Sequence, residues 1–335
     1  MMTLRVLPPV VLLVLLSACG GSDAPGERPV SARPGEEHEE LPEVEATSLL
    51  GEALVPPELP EEVYRERYAR FEEAEEVMAA DPDDADALIW LGRRTAYLGA
   101  YRDAIDIYSH ALSLHPDDAR LYRHRGHRYL TVREMDNAIA DFREGVRRVE
   151  GHPDQVEPDG LPNARGIPTS TLQFNIWYHL GLAHYVKGEF EEAADAYAAC
   201  WEVSAHPDSK VATAYWWYLT LHRLGRDADA AAVLARVHEG MDVIEGTGYL
   251  DLLLLFKGER DVGQILGSDE EGTALAGVTT RYGVGAWHLL NGQPSQAEEI
   301  FRGVLAQKDQ WAAFGYLAAE AEVARMTKPS PSAQE

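Results

Sequence analysis

Residues 85–118 read ADALIWLGRRTAYLGAYRDAIDIYSHALSLHPDD, and their pattern returns along the chain. Two apolar stripes run through the stretch at helical spacing. Leu88, Leu91, Gly92 and Thr95 make the first; Ala104, Ile105, Tyr108, Ala111 and Leu112 make the second. A short Gly-containing turn joins them and a Pro-Asp stop closes the unit. Gly92 and Ala104 are small where two helices must approach closely. Gly126, Ala138 and Phe142 follow Gly92, Ala104 and Tyr108 at an interval of about 34 residues, and Pro82 and Pro116 keep the same interval. A helical hairpin of this kind cannot bury its apolar face alone, so it must stack on further copies.

The unit resembles the tetratricopeptide repeat. That resemblance implies an all-α fold, a superhelix of stacked helical hairpins (an α-solenoid) over 60–326. Repeats are expected at 85–118, 119–152, 174–207, 211–244 and 278–311. Around them stand a capping helix at 60–80, a truncated helical pair at 249–266, a second capping helix from Trp311 to Met326, and a frayed tail at 327–335. The period breaks at an insertion, 151–173. Loops this long inside a compact array are uncommon and usually functional or disordered. Leu161, Asn163, Arg165 and Ile167 make this one read as a packed loop folded back over the array. Cys200 takes a small buried position on a second helix.

The N-terminus reads as an address. Arg5 is followed by an apolar run from Val10 to Leu16, shorter than the roughly 20 residues a membrane span needs. Leu16-Ser17-Ala18-Cys19 resembles a bacterial lipobox. The resemblance implies a signal peptide over 1–18, cleavage before Cys19, and lipidation of Cys19, with several acyl chains giving lasting attachment where one is marginal. Gly20 after the cysteine resembles the sorting state for the outer membrane, facing the periplasm. Residues 19–59 read as a disordered, acidic, Pro/Glu-rich tether. Within it Leu49, Leu50, Leu54 and Val55 form the one cluster apolar enough to dock locally.

The formal net charge is −26, from 56 acidic against 30 basic residues. Nucleic acid needs a basic face, so it is not an expected partner. The sequence shows no P-loop, no HExxH, no Gly-x-Ser-x-Gly elbow and no convincing strand. His124 and His127 sit one helical turn apart, but no third or fourth ligand stands nearby in sequence, so no metal and no cofactor are expected. An enzymatic reading would place His152, Asp154, Glu157, Asp159 and Arg165 of the insertion in an active site; nothing in their spacing fixes a geometry. A further alternative is a self-assembling structural lipoprotein.

In tetratricopeptide proteins the first helix of each repeat lines the concave side. Carried onto this chain, the ligand-facing positions are Arg93 and Tyr97, then Arg120, Arg123 and His127. Asn175, Tyr178, Leu182 and Tyr185 follow, then Tyr215, Leu219, His222 and Arg223, and last Tyr282. This lining is basic and aromatic in an acidic protein, a composition common where partners bind. It lacks the Lys and Asn set of the carboxylate-clamp adaptors. The expected function is a non-enzymatic, membrane-anchored interaction scaffold or adaptor of the cell envelope. Its groove would hold a segment of an envelope protein, with a cell-wall hydrolase or a protease among the expected partners.

Overall fold

The structure is a computed structural model that describes residues 43–267 and 274–327. The signal, Cys19, the first part of the tether and residues 328–335 lie outside the described residues. Fourteen α-helices account for most of what is described. A single helix, α1 (Glu61–Ala80), precedes the hairpins α2 (Ala85–Tyr97) and α3 (Tyr101–Leu114), and α4 (Ala119–Thr131) and α5 (Met135–Val149). After the insertion come α6 (Leu172–Lys187) and α7 (Phe190–Val203), then α8 (Pro207–Arg223) and the short α9 (Asp227–Leu234). The truncated pair is α10 (Thr247–Phe256) and α11 (Val262–Gly267). The last hairpin is α12 (Ala274–Leu290) and α13 (Pro294–Leu305), and α14 (Phe314–Thr327) ends the array. Among the described residues no helix is long and apolar enough to cross a membrane.

The recurring glycine is where the two helices of a hairpin meet. A Cβ on Gly92 would sit 2.5 Å from the Tyr108 ring, and one on Gly126 would sit 2.9 Å from the Phe142 ring. At Gly181 the ring is that of Tyr197, at 2.7 Å, and at Gly285 it is that of Phe301, at 2.5 Å. Each aromatic is fully buried, so four hairpins share one packing device. An Asp caps the start of each of the first two hairpins. Asp84 Oδ1 accepts from Ala87 N at 2.8 Å and Asp118 Oδ1 from Arg120 N at 2.9 Å, satisfying amides that a helix start leaves open.

The turns between paired helices need a left-handed residue, and Gly99, Gly188, Gly225 and Gly292 supply it. In the second hairpin that position is Arg133, with φ +67°. A non-glycine residue costs about 1 kcal/mol there. Its side chain supplies the compensation, as described below.

Two parts of the chain depart from expectation. The tether does not stay structureless to residue 59. Ala46–Thr47 (β1) and Ala53–Leu54 (β2) pair antiparallel around a tight turn, with Ala46 and Leu54 in the core. The pair is held by Arg102, whose amide donates to Glu45 Oε2 at 2.9 Å and whose Nε donates to the Glu45 carbonyl at 2.7 Å. Trp311 Nε1 donates to the Val55 carbonyl at 2.5 Å. The segment orders because partners from both ends of the array meet its backbone, which compensates for the entropy that its composition alone could not. The second departure is α14. It starts at Phe314 rather than at Trp311, and it packs into the array along its length: Tyr316, Leu317, Ala318, Ala319, Glu320, Ala321, Glu322 and Val323 are all buried.

Candidate functional site

The C-terminal half of the expected groove is filled by the protein itself. Glu322 of α14, 2 % exposed, accepts from Tyr185 Oη at 3.3 Å, and its carboxylate lies 3.2 Å from Arg223 Nη1 and 3.0 Å from Arg325 Nη1. Tyr185 Oη also meets Tyr282 Oη at 2.9 Å, and Tyr282 stacks on Trp216. Leu182, Tyr215, Leu219 and Tyr282 are fully or nearly fully buried. The inner wall does grip a carboxylate with arginine and tyrosine, but the carboxylate is intramolecular. Leu182, Tyr185, Tyr215, Leu219, Arg223 and Tyr282 are thus core and seam residues, not an open ligand face. His222 sits at the outer end of α8 against Asp227, at 2.9 Å. Arg120 lines a space of about 160 Å³ with Arg93, His124 and Glu157, and pairs with Asp118 at 2.6 Å and Asp86 at 2.5 Å.

The N-terminal half is roofed by the insertion. Its base is closed by a bridge between Val156 and Thr171 and by Leu172 N donating to the Gln155 carbonyl at 2.9 Å. From there it runs as a strap across the inner face. Arg93 Nη1 donates to the Pro158 carbonyl at 2.8 Å, and Arg94 Nη1 to that of Gly160 at 3.1 Å. Arg123 Nε lies 2.9 Å from Glu157 Oε2, and Asn175 Nδ2 donates to the same carboxylate at 3.1 Å. At the far side Arg165 pairs with Asp242 at 3.0 Å, and Thr169 Oγ1 donates to Glu245 Oε2 at 2.7 Å. Gly160 is the one buried residue of 151–171, pressed so close to Tyr97 that a Cβ there would lie 2.1 Å from Tyr97 Oη. Val156, Leu161 and Ile167 face solvent. The strap is therefore fastened by polar contacts, with no apolar side chain buried as an anchor. Asp154 is spent on the backbone amides of Gln155 and Gln173, Asp159 on that of Leu161, and Arg165 on Asp242. Asp154, Glu157, Asp159 and Arg165 are thus structural fasteners dispersed along the insertion.

Several spaces remain under and beside the strap. A recess of about 380 Å³ opens between α4, α6, α8, α10 and the start of α14. Phe174, Tyr178, His179, Tyr249 and Phe314 give it aromatic walls, and Asn175, Ser209 and Glu245 give it polar groups. Its floor is rigid. Tyr178 Oη meets Tyr249 Oη at 3.1 Å and accepts from Trp216 Nε1 at 2.8 Å. Asp208 accepts three consecutive amides, those of Ile244, Glu245 and Gly246, which pins the loop before α10 to the start of α8. A smaller space, about 100 Å³, lies between α2 and α4 beneath Glu157, lined by Arg93, Tyr97, Arg123, His124, His127 and Arg128 among others.

His127 and His179 face each other with ring centroids 4.5 Å apart, and Phe314 lies 5.4 Å from each. Burial, followed by the charge of nearby arginines, pushes His127 well below the usual imidazole range. Burial does the same to His179, whose Nδ1 lies 2.5 Å from the Asn175 carbonyl and therefore carries the proton. Both rings are neutral at physiological pH. Burial raises Tyr178 well above the usual phenol range, so it stays a hydroxyl.

Of the residues expected at the ligand face, Arg93, Tyr97, Arg123, His127, Asn175 and Tyr178 are thus brought together. Sequence reasoning missed His179, Arg128, Tyr249 and Phe314. His179 was within reach, since it lies one helical turn after Asn175. Tyr249 and Phe314 come from segments whose approach to α6 no local pattern announces.

No protein-family model matches the sequence, and no curated protein matches it. Solved structures that are similar include a tetratricopeptide repeat protein from Parabacteroides merdae, at 16% identity, covering 77% of this chain and 98% of that one, with a TM-score of 0.44. YrrB, described as a TPR protein with an unusual peptide-binding site, is 16% identical over 75% of this chain and 97% of its own, with a TM-score of 0.40. MamA from AMB-1 is 20% identical over 52% and 92% of the two chains, with a TM-score of 0.38. The stacked-hairpin class itself is established by this chain's own packing.

Proposed function

We propose that this chain is a protein-interaction scaffold of the cell envelope that receives a short segment of a partner protein in the recess between α4, α6, α8 and α10. The observation that carries the reading is the recess itself. About 380 Å³ of aromatic-walled space on a rigid floor, with a few polar groups at its edge, suits an anchoring side chain and its flanking backbone. The strap supports it too, since polar fastenings can be exchanged for a partner's hydrogen bonds without exposing apolar surface. The adaptor role, and a cell-wall hydrolase or protease as the partner, extend this proposal. So does attachment through acylated Cys19 to the outer membrane on its periplasmic side, which the signal-like start of the sequence supports.

Two measurements test the reading. A photoreactive residue in place of Tyr249 in the full-length protein should capture a defined partner in living cells. Ala212→Trp, which fills the recess from α8, should abolish that capture while the helical signal stays intact; unchanged capture would remove the recess from the proposal. Cys19→Ala should move the protein from the membrane to the soluble fraction, and continued membrane association would remove the anchor.

A further inference from the structure

The smaller cavity beneath the strap holds more positive charge than its walls neutralise. Three guanidiniums converge on it, from Arg93, Arg123 and Arg128, against one carboxylate, that of Glu157. Arg93 is spent on the Pro158 carbonyl and on the face of Trp90, 4.4 Å away. Arg128 lies over the Tyr101 ring at 5.5 Å and, among the described residues, makes no ion pair and no side-chain hydrogen bond. Arg123 is 9 % exposed, and its Nε, although 2.9 Å from Glu157, makes no aligned hydrogen bond. An unpartnered buried donor is costly, more so when charged.

The remaining walls add polar groups but no further negative charge. Arg123 Nη1 lies 3.1 Å from His124 Nδ1; a guanidinium can only donate, so the His124 proton sits on Nε2. Burial, then Arg123, Arg93 and Arg128, hold His124 neutral. Tyr97 and Tyr108 add hydroxyls. About 100 Å³ exceeds several water volumes and suits a compact group with many acceptor oxygens.

We propose that this cavity is a binding site for a small dianionic oxyanion of the phosphate class. Guanidinium forks match the oxygen spacing of such groups. Two uncompensated positive charges favour a dianion over a monocarboxylate. The protein's net charge of −26 repels anions at long range, so recognition must come from these short contacts. Arg123 and His127 also line the larger recess, which gives the site a mouth and leaves room for an organic substituent. The source is therefore free phosphate or a phosphomonoester, and the site does not depend on a protein partner.

Titration calorimetry on the full-length protein in detergent, at slightly alkaline pH and matched ionic strength, tests the site with sodium phosphate, phenyl phosphate and sodium acetate. Saturable phosphate binding is expected, at least about tenfold tighter than acetate. Arg128→Gln should weaken it about tenfold with the helical circular dichroism unchanged. Glu157→Gln should strengthen it by removing the competing carboxylate. Tighter phenyl phosphate would identify a monoester as the source, and equal or weaker binding the free ion. Absence of saturable heat from both phosphates, or undiminished binding by Arg128→Gln, would overturn the site.

Discussion

Arg133 and Glu320 form a bidentate ion pair across the molecule, with Nη2 to Oε1 at 2.8 Å and side chains 3 % and 1 % exposed. Arg133 also donates to the carbonyls of Thr131 and Trp311 and lies over the Trp311 ring. A residue in a strained turn thereby fastens α14 to the second hairpin. Removing one partner leaves a buried charge alone, so Arg133→Ala should cost about 3–5 kcal/mol in urea unfolding. Replacing both, as Arg133→Met with Glu320→Leu, should recover most of that. A single-variant loss near that of a surface pair, below about 1 kcal/mol, would show that the pair does not hold the seam.

The glycine–aromatic device sets a second expectation. Gly181→Ala forces a methyl against the Tyr197 ring and should destabilise by about 1–3 kcal/mol. Combining it with Tyr197→Leu should cost less than the sum of the two single changes. Strict additivity in a double-mutant cycle would break the proposed contact.

Strap release is separable from unfolding. Gly160→Val drives a side chain into Tyr97 and Arg93, so the strap should lift. Limited proteolysis between residues 151 and 171 should then accelerate several-fold, with the thermal midpoint nearly unchanged because the strap buries no apolar side chain. A large drop in the midpoint with no new cleavage would show that the strap is part of the core.

Stability should fall on mild acidification. His124, His127 and His179 have folded-state values well below the ordinary 6.5, chiefly through burial. The unfolded chain therefore binds more protons, and the stabilisation present above about pH 6.5 is lost as pH drops below it. Each histidine contributes a slope of up to about 1.4 kcal/mol per pH unit in that window. Glu45 and Asp141, raised by burial, act in the opposite sense nearer their own range. Urea midpoints at two pH values check this; His179→Gln should flatten the slope, and a midpoint rising on acidification would contradict it.

The stacked hairpins were legible because each depends on local spacing. Gly92 and Tyr108, or Gly181 and Tyr197, announce a close helix pair within one unit. The positions of Arg93, Arg123, Asn175 and Tyr178 came from the family resemblance that this spacing carries. What meets those positions could not be read locally. Glu320 and Glu322 lie in an alanine-rich stretch that reads as a capping helix, and their partners Arg133 and Tyr185 lie 187 and 137 residues away. The one local clue was an arginine where neighbouring turns use glycine. The tether failed likewise, since Glu45 is acidic by composition and ordered only because Arg102 faces it.

Leu49 N donates to Glu320 at 3.2 Å and Trp311 Nε1 to the Val55 carbonyl, so the β1–β2 segment is joined directly to the end of the array. In stacked arrays each repeat touches only its neighbours, so a load passes from one hairpin to the next. Here the two ends are clasped, so a pull on the N-terminal segment is borne by the clasp before any hairpin stretches. The same clasp spans 256 residues in the chain, which sets it among the slowest contacts to form on folding and keeps the terminal hairpins from peeling away one at a time.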